Sequence, residues 1–392
     1  MSHDMIDIAQ WCDRLRGNDF AAMRLKYAGN EEAQYAIMQL ECRKKAASKL
    51  PKTLENKQFR FPTTLSAEQC TSELLARFHT TLVPRGARLL DMTCGLGIDS
   101  FELCQQCESV VAVDIDAKVA ETANENAAIL GISNFTALCG DSEAVIADAE
   151  DDGYTAIFVD PARRNAGKKV VFLDDCSPNV AKLIRKMLRV APLVVIKASP
   201  MLDITAAAKA LQNVSDVFTI GTPSECKELV IVCKRGYESE VRTHAVTLWH
   251  GGGIKFSYDT VGTYNPDYAT ELREGDYLYE PYPAVMKAGH FGELCQKFGL
   301  TMLGRDTHIF TSHEAVERFP GKMMKILWCE PFNKRSAAKA KEIYPKANVS
   351  TRGFVMPAPQ LAKYAGIAEG GDKMLYGVGL AGKRNHWIAV CE

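Results

Sequence analysis

No stretch of this chain approaches the ~20 consecutive apolar residues that a membrane-spanning helix needs. The first twenty residues place Asp and Arg where a secretory leader would need an uninterrupted apolar core. There is no low-complexity tract and no internal repeat, and the composition excludes a disordered or collagen-like chain. The thirteen cysteines follow no disulfide framework, which is the usage of reduced thiols and predicts a cytoplasmic protein. The eight histidines are dispersed, and the one Cys-x-x-C, Cys104 to Cys107, has no second pair near it, so no metal site is expected.

What is present is a globular mixture, 47% apolar and 24% charged over 392 residues. At roughly 150 residues per domain, that length predicts two or three domains. The net charge of −1 hides an asymmetry: residues 320–392 hold 12 Lys and Arg against 5 Asp and Glu, a local +7 that leaves −8 on the rest. A basic end on an acidic body predicts a polyanionic partner.

The patterning divides the chain into four parts. Residues 1–80 show helical spacing, with Ser66-Ala67-Glu68-Gln69 reading as a capping box that opens a helix through residue 82. From 81 to 236, short apolar runs (ARLLDMT, SVVAVDI, FTALCG, AIFVD, LVVIKAS) alternate with helical stretches, which predicts an α/β domain with a parallel sheet covered on both faces. DVFTIG and LVIVCKR then read as two strands meeting antiparallel at a sheet edge. Residues 237–320 read as a β-rich segment followed by one helix, AVMKAGHFGELCQKFG. Residues 321–392 form the basic module, with a helix at SAAKAKEIY and two closing strands.

The chemistry concentrates at Asp91-Met92-Thr93-Cys94-Gly95-Leu96-Gly97, where a strand ends in an acid and a Gly-x-Gly turn opens a helix. Glycines let a backbone pass close beneath a ligand. The next strands end at Asp114, Gly140-Asp141 and Asp160-Pro161, so four successive strands carry Asp at their carboxyl ends, the edge where open α/β sheets bind ligands. Asp114 stands where a carboxylate accepts the hydroxyls of a ribose. A dinucleotide site would want glycine where Ser100 stands and has no use for Asp91, whereas the cationic sulfonium and amino groups of S-adenosylmethionine do.

These residues resemble a class I S-adenosylmethionine-dependent methyltransferase. The wider motif set, FPTTLSAEQCTSELLARF, LLDMTCGLGIDS, DPARR, VVIKASPMLDI, YLYEPYPAVMKAG and RGFVMPAPQLAKYAGIAEGGDKMLYGVGL, resembles a bacterial family in which that domain precedes a ferredoxin-like segment and a THUMP-like domain. The resemblance implies a Rossmann-like seven-stranded sheet with an N-terminal helical region and smaller α+β modules. It implies that Gln69 closes over the methionine end of the cofactor and that Asp91, Thr93, Gly95 and Gly97 line it. Asp114 and Ile115 would hold the ribose side, and Asp141 with Ser142 the adenine. For Gln69 a simple helix-capping role stands beside that one.

On the acceptor side, Asp160-Pro161-Ala162-Arg163 keeps the acid and first proline of amino-methylating enzymes but lacks their second proline and aromatic residue. Arg163 could stack on a base, hold a phosphate or pair with Asp174 or Asp175. The same four residues resemble uridine-C5 methyltransferases, yet Lys197-Ala198-Ser199-Pro200 has no cysteine where those enzymes place their nucleophile. Lys197 is expected to orient an acceptor or pair with Asp160. In the basic module, Lys334, Arg335, Lys339, Lys341 and Arg352, interspersed with aromatics, form a candidate RNA surface; Lys334 to Lys341 could equally be one solvated helix face. The expected partner is tRNA or rRNA. A protein or small-molecule methyltransferase and a non-catalytic RNA-binding protein are the alternatives.

Overall fold

The computed structural model describes residues 19–163, 173, 176–258, 264–381 and 386–392. The helix expected before residue 19, Asp174, Asp175 and the side chain of Arg163 lie outside the described residues. The chain divides into two compact units: residues up to Val217 with Leu229–Val241, and Phe218–Glu228 with Arg242–Glu392.

The first unit is built on parallel strands β1 (Arg88–Asp91), β2 (Ser109–Asp114), β3 (Phe135–Cys139), β4 (Ala156–Val159) and β7 (Leu193–Ala198). The short β5 (Ala162–Arg163) and β6 (Cys176–Ser177) pair with each other. With β8 (Val214–Gly221) and β9 (Cys226–Lys234), the order is β8-β9-β7-β4-β1-β2-β3, and β9 runs antiparallel to β7. These seven follow the expected Rossmann-like order, within a sheet that holds nine strands in all. β4 is buried at every position, as a central parallel strand covered on both faces must be.

Helices close the faces because their apolar residues recur at helical spacing. In Val180–Val190, the residues Val180, Ile184, Met187 and Leu188 are buried in a cluster with Ile157, Val194, Ile196 and Ile231. Each such side chain contributes ~1.5–3 kcal/mol when fully buried. Asn179 caps that helix by accepting the Lys182 N–H at 3.1 Å.

The N-terminal helices differ from expectation in one detail that matters below. The cap is Thr63, not Ser66: it is extended (φ −148°, ψ 163°) and accepts the Ser66 N–H at 3.0 Å. The helix it opens, α1 (Thr64–Gln69), stops at Cys70, whose backbone turns extended. A new helix, α2 (Glu73–Thr80), starts from a Ser72 cap. The interval places Thr71 on a bend between two helices. Following β1, α3 (Ile98–Cys104) begins directly after the glycine turn.

The second unit holds the hairpin β10 (Arg242–Trp249) with β11 (Gly252–Ser257) and a seven-stranded sheet. That sheet joins β12 (Tyr277–Pro281) to β13 (Gly321–Pro331), so strands from both sides of residue 320 share one layer. The single helix expected over 284–299 is two, Pro283–Ala288 and Phe291–Phe298. Gly289 (φ 76°) and His290 (φ 53°) both leave the right-handed region and break it. The basic helix α4 (Lys334–Ile343) carries a capping box between Asn333 and Ser336 and buries only Ser336, Ala337 and Ala340.

Candidate active site

The glycine turn is held open from below. Asp91, at the end of β1, is 1% exposed and accepts the Ser100 hydroxyl at 2.6 Å and the Thr93 N–H at 2.9 Å. Burial pushes its carboxyl up to about 6, although the bonds from Ser100 and Thr93 oppose the shift. Asp91 therefore braces the loop from inside. Gly97 sits at φ 82°, and a Cβ there would lie 2.7 Å from the Phe101 ring, so both conformation and space require glycine.

The upper side of the loop is open. Gly95 (φ 52°) has nothing within 4 Å of where a Cβ would stand, and its N–H donates to Asp114 Oδ2 at 2.9 Å. Asp114 Oδ1 accepts the Asp116 N–H at 3.0 Å, so the carboxylate is fixed in orientation and keeps lone pairs for further donors. Beside it Ile115 is 80% exposed, an apolar side chain presented to solvent at a strand end. Asp141 is exposed and caps the following helix by accepting the Glu143 N–H at 2.9 Å, with Ser142 as that helix's first residue. Gln69 is exposed at the end of α1. An open glycine cradle, a fixed carboxylate and an exposed aliphatic surface at adjacent strand ends suit a ribose and a purine ring.

The acceptor side is tied to the same framework. The Asp160 N–H donates to Thr93 Oγ1 at 2.7 Å, linking the end of β4 to the glycine loop. Lys197, near the end of β7, is buried, and its ammonium lies 2.6 Å from Asp160 Oδ2. That ammonium also donates to Thr71 Oγ1 at 2.7 Å and lies 3.6 Å from Asp99 Oδ2. Asp99, in the first turn of α3, accepts the Thr71 hydroxyl at 2.5 Å and stands 2.7 Å from Nδ1 of the fully buried His79. Burial raises the Asp99 carboxyl, but the charges of Lys197 and His79 outweigh it and hold the group well below the usual carboxylate range. The structure thus brings Asp160 and Lys197 into contact and adds three residues that the sequence did not single out: Thr71, His79 and Asp99. Pro161 follows Asp160 and is half-buried.

Two other features are set aside by their chemistry. A cavity of about 550 Å³ opens on the Ile98, Phe101, Glu102 and Gln105 face of α3, away from Asp99. Its Arg77 is engaged by Glu73 at 3.6 Å and Glu102 at 3.5 Å. Cys104 and Cys107 are buried thiols, with burial pushing Cys104 up to about 12. Among the described residues no group of three or more His, Cys, Asp or Glu is placed to hold a metal, and no helix is long and apolar enough to cross a membrane.

Residues 84–222 match the family described as a methyltransferase domain, and residues 277–320 that of a ferredoxin-like domain. The chain carries a methyltransferase domain, whose cofactor is S-adenosylmethionine. An uncharacterized S-adenosylmethionine-dependent methyltransferase of Mycobacterium tuberculosis is 25% identical over 284 residues, covering 72% of this chain and 74% of that protein. A 23S rRNA (uracil(1939)-C(5))-methyltransferase of Shewanella amazonensis is 34% identical over 97 residues, 24% of this chain, and the chain spans only 22% of that relative's length. A solved structure described as a putative methyltransferase from Porphyromonas gingivalis W83 superposes with a TM-score of 0.88 over 100% of this chain and 98% of its own at 23% identity. At that identity the likeness is one of fold.

In the basic module the five expected cations separate. Lys334, Arg335 and Lys341 are exposed and make no ion pair among the described residues. Lys339 is paired with Glu330 and lies 5.8 Å from the Trp328 ring, while Arg352 is paired with Glu280 at 2.5 Å.

Proposed function

We propose that this chain methylates a base in structured RNA, tRNA or rRNA, by direct in-line transfer from S-adenosylmethionine. The observation that carries the reading is the Asp160 carboxylate, 41% exposed beside the glycine loop and gripped from behind by buried Lys197. Bound donor supplies an electrophilic methyl group on a sulfonium. The residues around it bind and align. Asp114, Ile115 and the backbone at Gly95 hold the nucleoside end, with Asp141 and Ser142 toward the adenine and Gln69 closing over the methionine end. Asp160 accepts a hydrogen bond from the acceptor base and fixes its approach, which is the main work of a displacement whose reactants are already activated.

Covalent activation of a pyrimidine ring is disfavoured, because β7 runs into Ser199-Pro200 without a cysteine. The rRNA-methylating relative supports an RNA acceptor while its uracil-C5 chemistry does not carry over. The +7 end of the chain, with Lys334, Arg335 and Lys341 exposed on one helix, supports a phosphate-lined partner. A THUMP-like role for residues 321–392 and a cytoplasmic location belong to this same reading.

The test is transfer of radiolabelled methyl from S-adenosylmethionine to bulk RNA from a strain lacking the gene. Label that enters RNA with the wild-type chain and is lost with Asp160→Ala supports the proposal. Binding of the donor without any label in RNA would move the acceptor to a protein or small molecule.

A further inference from the structure

We infer that Thr71, Asp99 and His79 are positioning residues for the acceptor step, acting through Lys197 on the Asp160 carboxylate. This rests on the reading of Asp160 as the acceptor contact. His79 is fully buried, and the Asp99 side chain, 12% exposed, has its oxygens engaged by Thr71 and His79. They nonetheless form an unbroken chain to the exposed carboxylate: His79 Nδ1 to Asp99 at 2.7 Å, Asp99 to the Thr71 hydroxyl at 2.5 Å, Thr71 to the Lys197 ammonium at 2.7 Å, and Lys197 to Asp160 at 2.6 Å.

A lysine on a flexible four-carbon stem is a poor positioning device alone, because its three donors rotate freely. Here three separate elements define where those donors point: Thr71 on the bend at 2.7 Å, Asp160 at the end of β4 at 2.6 Å, and the Asp99 carboxylate in the first turn of α3 as an ion-pair neighbour at 3.6 Å. His79 and Thr71 both belong to the N-terminal helical region, so that region supplies part of the acceptor site. Burying this many charged groups gives little net stability compared with apolar packing of the same volume, whereas clustered ionisable groups at an exposed carboxylate are the usual mark of a functional site.

The test is a double-mutant cycle read on bulk RNA from a strain lacking the gene. Asp99→Asn and His79→Leu are expected to lower kcat at least tenfold with KM and calorimetric donor affinity unchanged, and His79→Asn, whose amide can still donate to Asp99, to recover most of it. In an Asp160→Asn background, Asp99→Asn should cost nothing further. A purely structural role would instead lower Tm and leave kcat per folded molecule unchanged, or give additive losses, and either result overturns the proposal. A second readout does not depend on the acceptor: the Lys197 ammonium resonance in ¹⁵N NMR should shift or broaden in Asp99→Asn, His79→Leu and Asp160→Asn alike. An unchanged resonance in the first two overturns the relay. If RNA stays unlabelled while the resonance moves, the RNA reading fails and the relay stands.

Discussion

Asp91 gives the most quantitative handle on the glycine loop. It is a carboxylate enclosed by protein, and burial raises it from 3.8 to about 6. In the unfolded chain it titrates near its ordinary value, so between pH 4 and 6 the folded state binds more protons than the unfolded state. Stability therefore falls as pH rises through that window and levels off above it. At about 1.36 kcal/mol per unit, the total is roughly 3 kcal/mol. Asp91→Asn keeps an oxygen for the Thr93 N–H and places an amide against the Ser100 hydroxyl, which can rotate to accept. It removes the titration and little else. The stability of the variant relative to wild type should improve by about 2.4 kcal/mol from pH 4 to pH 7. Asp99, held below its usual range, contributes the opposite slope, its stabilisation being lost as pH falls below about 4. It is common to both proteins and drops out of the difference. Urea unfolding at four pH values measures the quantity, and a difference independent of pH would refute the reading of Asp91 as a buried brace.

Other outcomes follow from the same geometry. Gly97→Ala should destabilise the first unit by at least ~2 kcal/mol, because a left-handed residue with a Cβ costs ~1–2 kcal/mol and the Phe101 ring must move as well; an unchanged Tm would contradict it. Asp114→Ala should abolish S-adenosylmethionine binding in calorimetry while unfolding stays cooperative, and unaltered affinity would remove the ribose assignment. Replacing Lys334, Arg335 and Lys341 with Gln should flatten the slope of log K against log salt for RNA by about 2. Lys339→Gln with Arg352→Gln should change it less, since those cations already face Glu330 and Glu280. Equal slopes for the two variants would leave the helix a solvated face.

The sheet was legible because its strands are short β-branched runs between helices, and the Asp residues at their ends mark the carboxyl edge directly. Lys197 and Asp160 could be paired in advance, since β4 and β7 are neighbours in a doubly wound sheet. Thr71 and His79 could not, because their role depends on the helix break at Cys70, and the sequence there reads as continuous. The Ser66 capping box was a plausible pattern that lost to Thr63, three residues earlier, whose hydroxyl reaches the same turn. Asp99 was visible within the quoted motif, but a first-turn acid ordinarily serves the helix dipole; only the approach of Lys197 from a distant strand gives it another purpose. In the basic module, composition reported the charges and not their pairing, so Arg352 and Lys339 looked equivalent to Lys334.

The most direct measurement is mass spectrometry of the nucleosides in total RNA from cells carrying the wild-type gene, no gene, or Asp160→Ala. The account predicts one methylated nucleoside present in the first and missing from the other two. Identical nucleoside profiles in all three, with donor binding by the purified chain intact, would contradict it.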